Sequence, residues 1–360
     1  MISEEFKKNF KNILVTGGAG FIGGTLIRKL LRETESKIFN LDNLGYASDL
    51  SGINLLKQSD ERHNLLRANL ANKSSVYSAI KESQPDIIFH LAAESHVDRS
   101  IDNPDIFIQS NIVGTFNLLE AAKDYWRNIS NFKKQTFRFH HISTDEVFGT
   151  LDEKGQFSES TPYGPRSPYS ASKASSDHLV KAWYHTYGLP IILTNCSNNY
   201  GPYQFPEKLI PLIIQKLISR EQIPIYGDGT NIRDWLFVED HIDGILLSCM
   251  KGLIGQSYCI GGHGESTNIE LVSKICDIFD KKMNLESKSK ELITYVKDRP
   301  GHDKRYSINS SLIKKELNWI PNYSLEQGLE ITLDWYINNQ NWCDLVNKKS
   351  NYKGERLGIN

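Results

Sequence analysis

The sequence has little that would tie it to a membrane, a metal or a disulfide framework. Its five cysteines (Cys196, Cys249, Cys259, Cys276 and Cys343) are odd in number and widely spaced, and no Cys-x-x-Cys occurs. Neither a disulfide scaffold nor a zinc site is therefore indicated. No stretch approaches the roughly 18 apolar residues of a spanning helix. The opening residues 1–8 are charged and lack the apolar core of a signal peptide. These absences predict a protein of a reducing cytoplasm with no membrane partner. The net charge is only −1, which argues against broad attraction to nucleic acid or an anionic surface. No repeat and no low-complexity segment is present. His140 and His141 are adjacent on a β-like run and so point to opposite faces, which disfavours a shared metal; no metal-ligand set is predicted.

What is there reads as a large globular α/β chain: 360 residues, 39% hydrophobic and 24% charged, enough for one big unit or two joined lobes. Asn12–Thr16 is a short β-leaning run, followed by Gly17-Gly18-Ala19-Gly20-Phe21-Ile22-Gly23 and a helical Thr25–Leu31. Glycines at 17, 20 and 23 allow a tight turn, close approach of a pyrophosphate, and helix-on-strand packing with the helix N-terminus facing phosphates. A second strand, Lys37–Leu41, ends at Asp42, 25 residues after Gly17. An acid at that distance accepts from the adenosine ribose and favours NAD over NADP.

Further strands are predicted at 65–70, 85–91, 137–142 and 190–195, with a helix over about 104–125 carrying Ile108, Ile112, Phe116 and Leu119 at helical spacing. Ala92 and Ala93, after the fourth strand, let the backbone come near a cofactor, and the end of the third strand approaches adenine. The fold expected is a Rossmann-type doubly wound parallel sheet with a smaller, interleaved C-terminal substrate lobe. Residues 1–195 form the NAD-binding domain and 196–360 the substrate-binding lobe. The segments 234–238 and 256–260 are expected to return to the main sheet, so the first domain also receives about 235–262.

The chemistry concentrates between His141 and Lys173. Tyr169 and Lys173 stand four apart in a run of helix formers, so they share one helix face and can meet. A lysine ammonium, or a cationic nicotinamide, favours the tyrosine phenolate, a base able to take a sugar hydroxyl proton as its carbon gives up hydride. Thr144-Asp145-Glu146 follows a strand, at the sheet end where ligands bind. Two adjacent carboxylates can be tuned apart, one kept protonated as an acid and the other ionised as a base. Arg233 and the stretch 297–306, with Arg299, supply guanidiniums suited to a diphosphate.

With these residues laid out, the chain resembles the extended short-chain dehydrogenase/reductase family and, within it, the enzymes that dehydrate dTDP-glucose. The motifs that carry the resemblance are residues 16–23, 91–100, 143–149, 169–173, 198–202, 233–235 and 299–303, spread over nearly the whole chain. The resemblance implies catalytic roles for Thr144, Asp145, Glu146, Tyr169 and Lys173 in C4 oxidation, C5/C6 elimination of water and hydride return to C6 with recycled NAD. It implies NAD contacts at Gly17, Gly20, Phe21, Ile22, Gly23, Asp42, Asn43, Asn69, Leu70, Leu91, Ala92, Ala93, Tyr169 and Lys173. Nucleotide and diphosphate contacts are implied at Asn198, Lys208, Leu209, Pro224, Tyr226, Arg233, Asn268, Arg299 and His302, with Ser95, His96 and Asp98 near the sugar. It also implies a homodimer joined by the helices of 104–125 and 169–187, and a product for deoxysugar biosynthesis such as that of rhamnose. Asn69 stands where the family commonly has an aspartate, and Gly45 where many members carry a hydroxyl. A sugar-nucleotide 4-epimerase, a dehydratase of UDP-, CDP- or GDP-sugars, and a non-catalytic NAD-binding scaffold are the rival readings. Asp145-Glu146 speaks against the epimerase, and the intact Tyr169, Lys173 and Thr144 against the scaffold.

Overall fold

The computed structural model describes residues 2–57, 61–286, 288–298, 301–350 and 352. In chain order the strands are β1 (Asn12–Thr16), β2 (Lys37–Asp42), β3 (His63–Arg67), β4 (Ile87–His90), β5 (Arg138–Thr144) and β6 (Ile191–Cys196). They are followed by β7 (Asn198–Tyr200), β8 (Ile223–Tyr226), β9 (Ile232–Phe237), β10 (Ser257–Ile260), β11 (Glu265–Thr267) and β12 (Ile293–Val296). One seven-stranded sheet runs in the order β10-β6-β5-β4-β1-β2-β3, with every neighbouring pair parallel. The winding reverses between β1 and β4. Helices after these two strands therefore go to opposite faces, which opens a crevice at the strands' carboxyl ends.

Side-chain alternation along the strands builds a core on each face. Ile13 and Val15 of β1 share one core with Leu26, Ile27 and Leu30 of the helix Phe21–Glu33. Leu14, between them, belongs to the other, with Leu118 and Ala122 of the helix Gly114–Asn128. All are buried, and each large side chain so placed contributes roughly 1.5–3 kcal/mol. A further core, with Ile213, Leu217, Ile275, Trp235 and Tyr336, lies among the helices Leu209–Ser219, Asn268–Met283 and Leu325–Asn338. Among the described residues no helix is long and apolar enough to cross a membrane.

The structure departs from the sequence reading in three places. Only 256–260 returns to the main sheet, as β10 beside β6; β9, holding Asp234–Phe237, lies in a three-stranded sheet between β11 and β7. A run of apolar residues signals burial on both faces without naming the sheet. β7 starts two residues after β6 ends and carries the chain away, and β9 pairs with it. The third strand ends at Arg67, so Asn69 and Leu70 sit in the loop beyond it. The single helix expected over 104–125 is Asp105–Phe107, a π-helical turn Ile108–Val113, and Gly114–Asn128.

Candidate active site

β1 delivers the chain into the glycine turn at the mouth of the crevice. Gly17 has φ +71° and a Cβ there would lie 2.7 Å from the Ala92 backbone, while a Cβ on Gly23 would lie 2.3 Å from the Gly17 carbonyl. No side chain other than hydrogen fits either position. Gly20 caps the helix Phe21–Glu33 without a side-chain hydrogen bond, so the first backbone N–H groups remain available to an anion. Asp42, at the end of β2, is buried and accepts from the Ala19 N–H at 3.0 Å, the Leu44 N–H at 2.8 Å and the Ser48 hydroxyl at 3.2 Å. That fixes its carboxylate against the glycine turn, with lone pairs left for ribose hydroxyls. These features fit a dinucleotide.

All the predicted cofactor residues line one cavity of about 590 Å³: Gly17, Gly20, Phe21, Ile22, Gly23, Asp42, Asn43, Asn69, Leu70, Leu91, Ala92, Ala93, Tyr169 and Lys173. Gly45 lines it too, and the Asn69 amide oxygen is partly engaged by the Ala71 N–H at 2.9 Å. The same cavity takes Ser95, His96, Asp98, Thr144, Asn198, Lys208, Leu209, Pro224, Tyr226, Arg233, Asn268 and His302. Arg299 lies outside the described residues. Asn198 Oδ1 and Asn268 Oδ1 are buried acceptors with no hydrogen-bond partner among the described residues, which suits a polar ligand in the cavity.

β5 ends at Thr144, and a 3₁₀ turn then presents Asp145 and Glu146. The Thr144 hydroxyl donates to Asp145 Oδ1 at 3.3 Å and accepts from the Glu146 N–H at 3.3 Å. Burial, then the Glu146 and Asp234 charges, push the Asp145 carboxyl well above the usual range. Its Oδ2 has no partner among the described residues; protonated, it is a donor kept for a ligand.

Tyr169 and Lys173 lie on the helix Pro168–Tyr187, started by a Ser167/Ser170 capping box with Pro168 in its first turn. Lys173 is buried and donates to the Ile142 carbonyl at 2.9 Å rather than to the phenol. The expected direct pairing thus gives way to a carbonyl of β5 within its reach. Without that cation in contact, burial and then the Glu146 charge push the Tyr169 phenol well above its ordinary value.

A family model described as GDP-mannose 4,6-dehydratase matches residues 14–332. The chain belongs to the GDP-mannose 4,6-dehydratase family. It is 51% identical to a dTDP-glucose 4,6-dehydratase of Xanthomonas campestris, over 96% of this chain and 98% of that protein. A structure of dTDP-glucose 4,6-dehydratase from Bacillus anthracis in complex with NAD is 41% identical, with a TM-score of 0.81 over 93% of this chain and 99% of that one. The enzyme of the same name from Streptomyces venezuelae, solved with NAD and a second ligand bound, is 39% identical, with a TM-score of 0.84 and the same coverage.

Several residues in or beside the cavity of this member of the GDP-mannose 4,6-dehydratase family are not among the site residues expected from the sequence. Glu207 accepts from the Tyr46 hydroxyl at 2.7 Å and from Arg99 Nε at 3.0 Å. Its partners lie far away in sequence, so no local pattern announces it. The π-helical turn carries Asn111, whose amide donates to the Glu94 carbonyl at 2.9 Å and to Ser172 Oγ at 2.8 Å, tying the loop after β4 to the Tyr169 helix. Only an Asn within an apolar helical run hints at it. Tyr306, whose ring lies 4.3 Å from the Arg233 guanidinium, is also in the cavity.

Proposed function

We propose that the chain is an NAD-dependent dTDP-glucose 4,6-dehydratase, a hydro-lyase that converts dTDP-glucose to dTDP-4-keto-6-deoxyglucose and water. The observation that carries this reading is Asp145: a carboxyl held toward its protonated form by burial, beside Glu146, in the cavity that also takes Tyr169. A 4-epimerase removes no water and needs no such acid. The names of relatives at 51% identity support dTDP-glucose as the substrate.

Gly17, Gly20, Phe21, Ile22 and Gly23 would hold the diphosphate of NAD, Asp42 and Asn43 its ribose, Asn69 and Leu70 its adenine, and Leu91, Ala92 and Ala93 its nicotinamide half. When bound, NAD supplies the acceptor of the C4 hydride, its return to C6, and a positive charge beside Tyr169. Tyr169, steadied by Thr144 and with the Lys173 ammonium near, takes the C4 hydroxyl proton as C4 becomes a ketone. The ketone acidifies the C5 proton, which Glu146 removes. Asp145 gives its proton to the departing C6 hydroxyl, which leaves as water, and Glu146 returns a proton to C5 as C6 becomes a methyl group. A positioned acid or base of this kind is worth about 10²–10⁴ in rate.

Asn198, Lys208, Leu209, Pro224, Tyr226, Arg233, Asn268, Arg299 and His302 are assigned to the nucleotide and diphosphate, and Ser95, His96 and Asp98 to the sugar. Residues 1–195 with the β10 segment form the cofactor domain, and the rest of 196–360 the substrate lobe. Exposed Ile108, Phe116 and Tyr187 on the 104–128 and 168–187 helices support a homodimer through that pair. Five buried, unpaired cysteines support a reducing cytoplasm. To test the function, purified protein with NAD is incubated with dTDP-glucose and, separately, with UDP-, CDP- and GDP-sugars. Loss of one water from dTDP-glucose, with no net reduction of NAD, is expected. Reaction with another nucleotide alone corrects the substrate, and no reaction with any of them refutes the reading.

A further inference from the structure

One helical turn beyond Lys173 lies Asp177, a carboxylate that none of the steps above uses and that is 0% exposed. Its oxygens accept from His141 Nε2 at 3.0 Å, Ser143 Oγ at 2.7 Å, the Tyr163 hydroxyl at 2.9 Å and, longer, Asn195 Nδ2 at 3.4 Å. His141 and Ser143 are the part of β5 that runs into Thr144. Asn195, on β6, donates from the same amide nitrogen to the Thr144 carbonyl at 3.1 Å. Asp177 therefore ties the Tyr169 helix to the strand end that carries the two catalytic carboxyls.

The surroundings of Lys173 give the charge a second task. The titratable groups facing it are Asp177 and Tyr169 on its own helix, His90 on β4, His141 on β5 and Cys196 on β6. Burial keeps His90 and His141 neutral, the latter at about 4, and keeps the Cys196 thiol and the Tyr169 phenol protonated. The hydrogen bond Lys173 makes is to a neutral carbonyl. Among these groups the counter-charge to its ammonium is Asp177. Burial opposes that carboxylate, yet its bonds from His141 and Ser143 and the Lys173 charge hold it below the usual range.

We propose that Asp177 is a positioning residue of the dehydration: its charge balances the buried Lys173 ammonium, and its hydrogen bonds set Tyr169 against Thr144, Asp145 and Glu146. This rests on the reading of Tyr169 and Lys173 given above. An isolated ammonium in the interior is costly and gives up its proton instead.

The test is the pH profile of C4 oxidation in Asp177→Asn. Losing the anion lowers the Lys173 pKa, so the basic limb, above which Lys173 is uncharged, should move down by about one to three pH units. Tyr163→Phe removes one donor and leaves the charge, and its basic limb should stay in place. An active Asp177→Asn variant with the wild-type basic limb overturns the proposal. A stability cycle that needs no turnover covers the case in which Asp177→Asn folds poorly. Lys173→Met strands a buried carboxylate and should lower the melting temperature; adding Asp177→Asn should restore part of the loss, since the two charges answer each other. Strictly additive losses would overturn the charge balance. If the wild type turns over no nucleotide sugar, the functional reading fails, and the cycle still decides whether Asp177 balances Lys173.

Discussion

Replacing Glu146 by Gln should separate the two halves of the proposed reaction, because one carboxylate acts on them in opposite senses. In the structure the Glu146 charge, second to burial, raises both Tyr169 and Asp145. Removing it favours the Tyr169 phenolate, so the acid limb of C4 oxidation should move to lower pH. For a neighbouring like charge the shift is about one pH unit, or about 1.4 kcal/mol. The same substitution deprives the second step of its base, worth about 10²–10⁴ in rate, or about 3–5 kcal/mol of barrier. Single-turnover absorbance across pH follows the first step, and uptake of solvent deuterium at C5, read by mass, follows the second. The variant should reduce NAD with a lowered acid limb while C5 exchange slows by about 100-fold or more. Wild-type C5 exchange would remove Glu146 from the role of base, and an acid limb that stays put would remove its charge from control of Tyr169.

Asp145→Asn should keep C4 oxidation and C5 exchange but slow the loss of water by about 10²–10⁴; unimpaired water loss would take the acid role from Asp145. Gly23→Ala places a Cβ 2.3 Å from the Gly17 carbonyl, so the turn must shift, at about 1–3 kcal/mol of stability. NAD titration of that variant should show weakened binding, and unchanged affinity would detach the turn from the cofactor. His140, pushed by burial to about 3, is neutral when folded, whereas the unfolded chain takes up its proton below about 6.5. Its contribution is whole above that pH and is lost as pH falls toward 3. Between about pH 7.5 and 5.5 this removes about 1.4 kcal/mol. In urea denaturation His140→Asn should therefore lose that much less stability than the wild type, and equal losses would contradict a buried neutral imidazole.

Local signals with a single physical meaning were legible in the sequence. Glycines at 17, 20 and 23 between an apolar run and a helix have one economical reading, and the structure shows a collision for any Cβ at 17 or 23. Tyr169 and Lys173 follow from helical spacing, and Thr144-Asp145-Glu146 from the end of a strand. Pairing across distance was not legible. Asp177 lies in Ser-Ser-Asp-His, which reads as a solvated helix face, and only the packing of β5 and β6 against that helix turns it into a fully buried acceptor. The company of β9 depended on the short β7, whose Asn-Asn-Tyr has no strand pattern of its own. The π-helical turn at Ile108–Val113 serves Asn111's bonds to Glu94 and Ser172, a tertiary demand that helical periodicity does not encode.

The central claim is an internal oxidation, elimination and hydride return at one nucleotide sugar. It is tested most directly by giving the NAD-supplemented protein dTDP-glucose deuterated at C4. The account predicts a product lacking one water with the deuterium at C6. A C4 epimer of unchanged mass, or water loss with the label released to solvent, would contradict it.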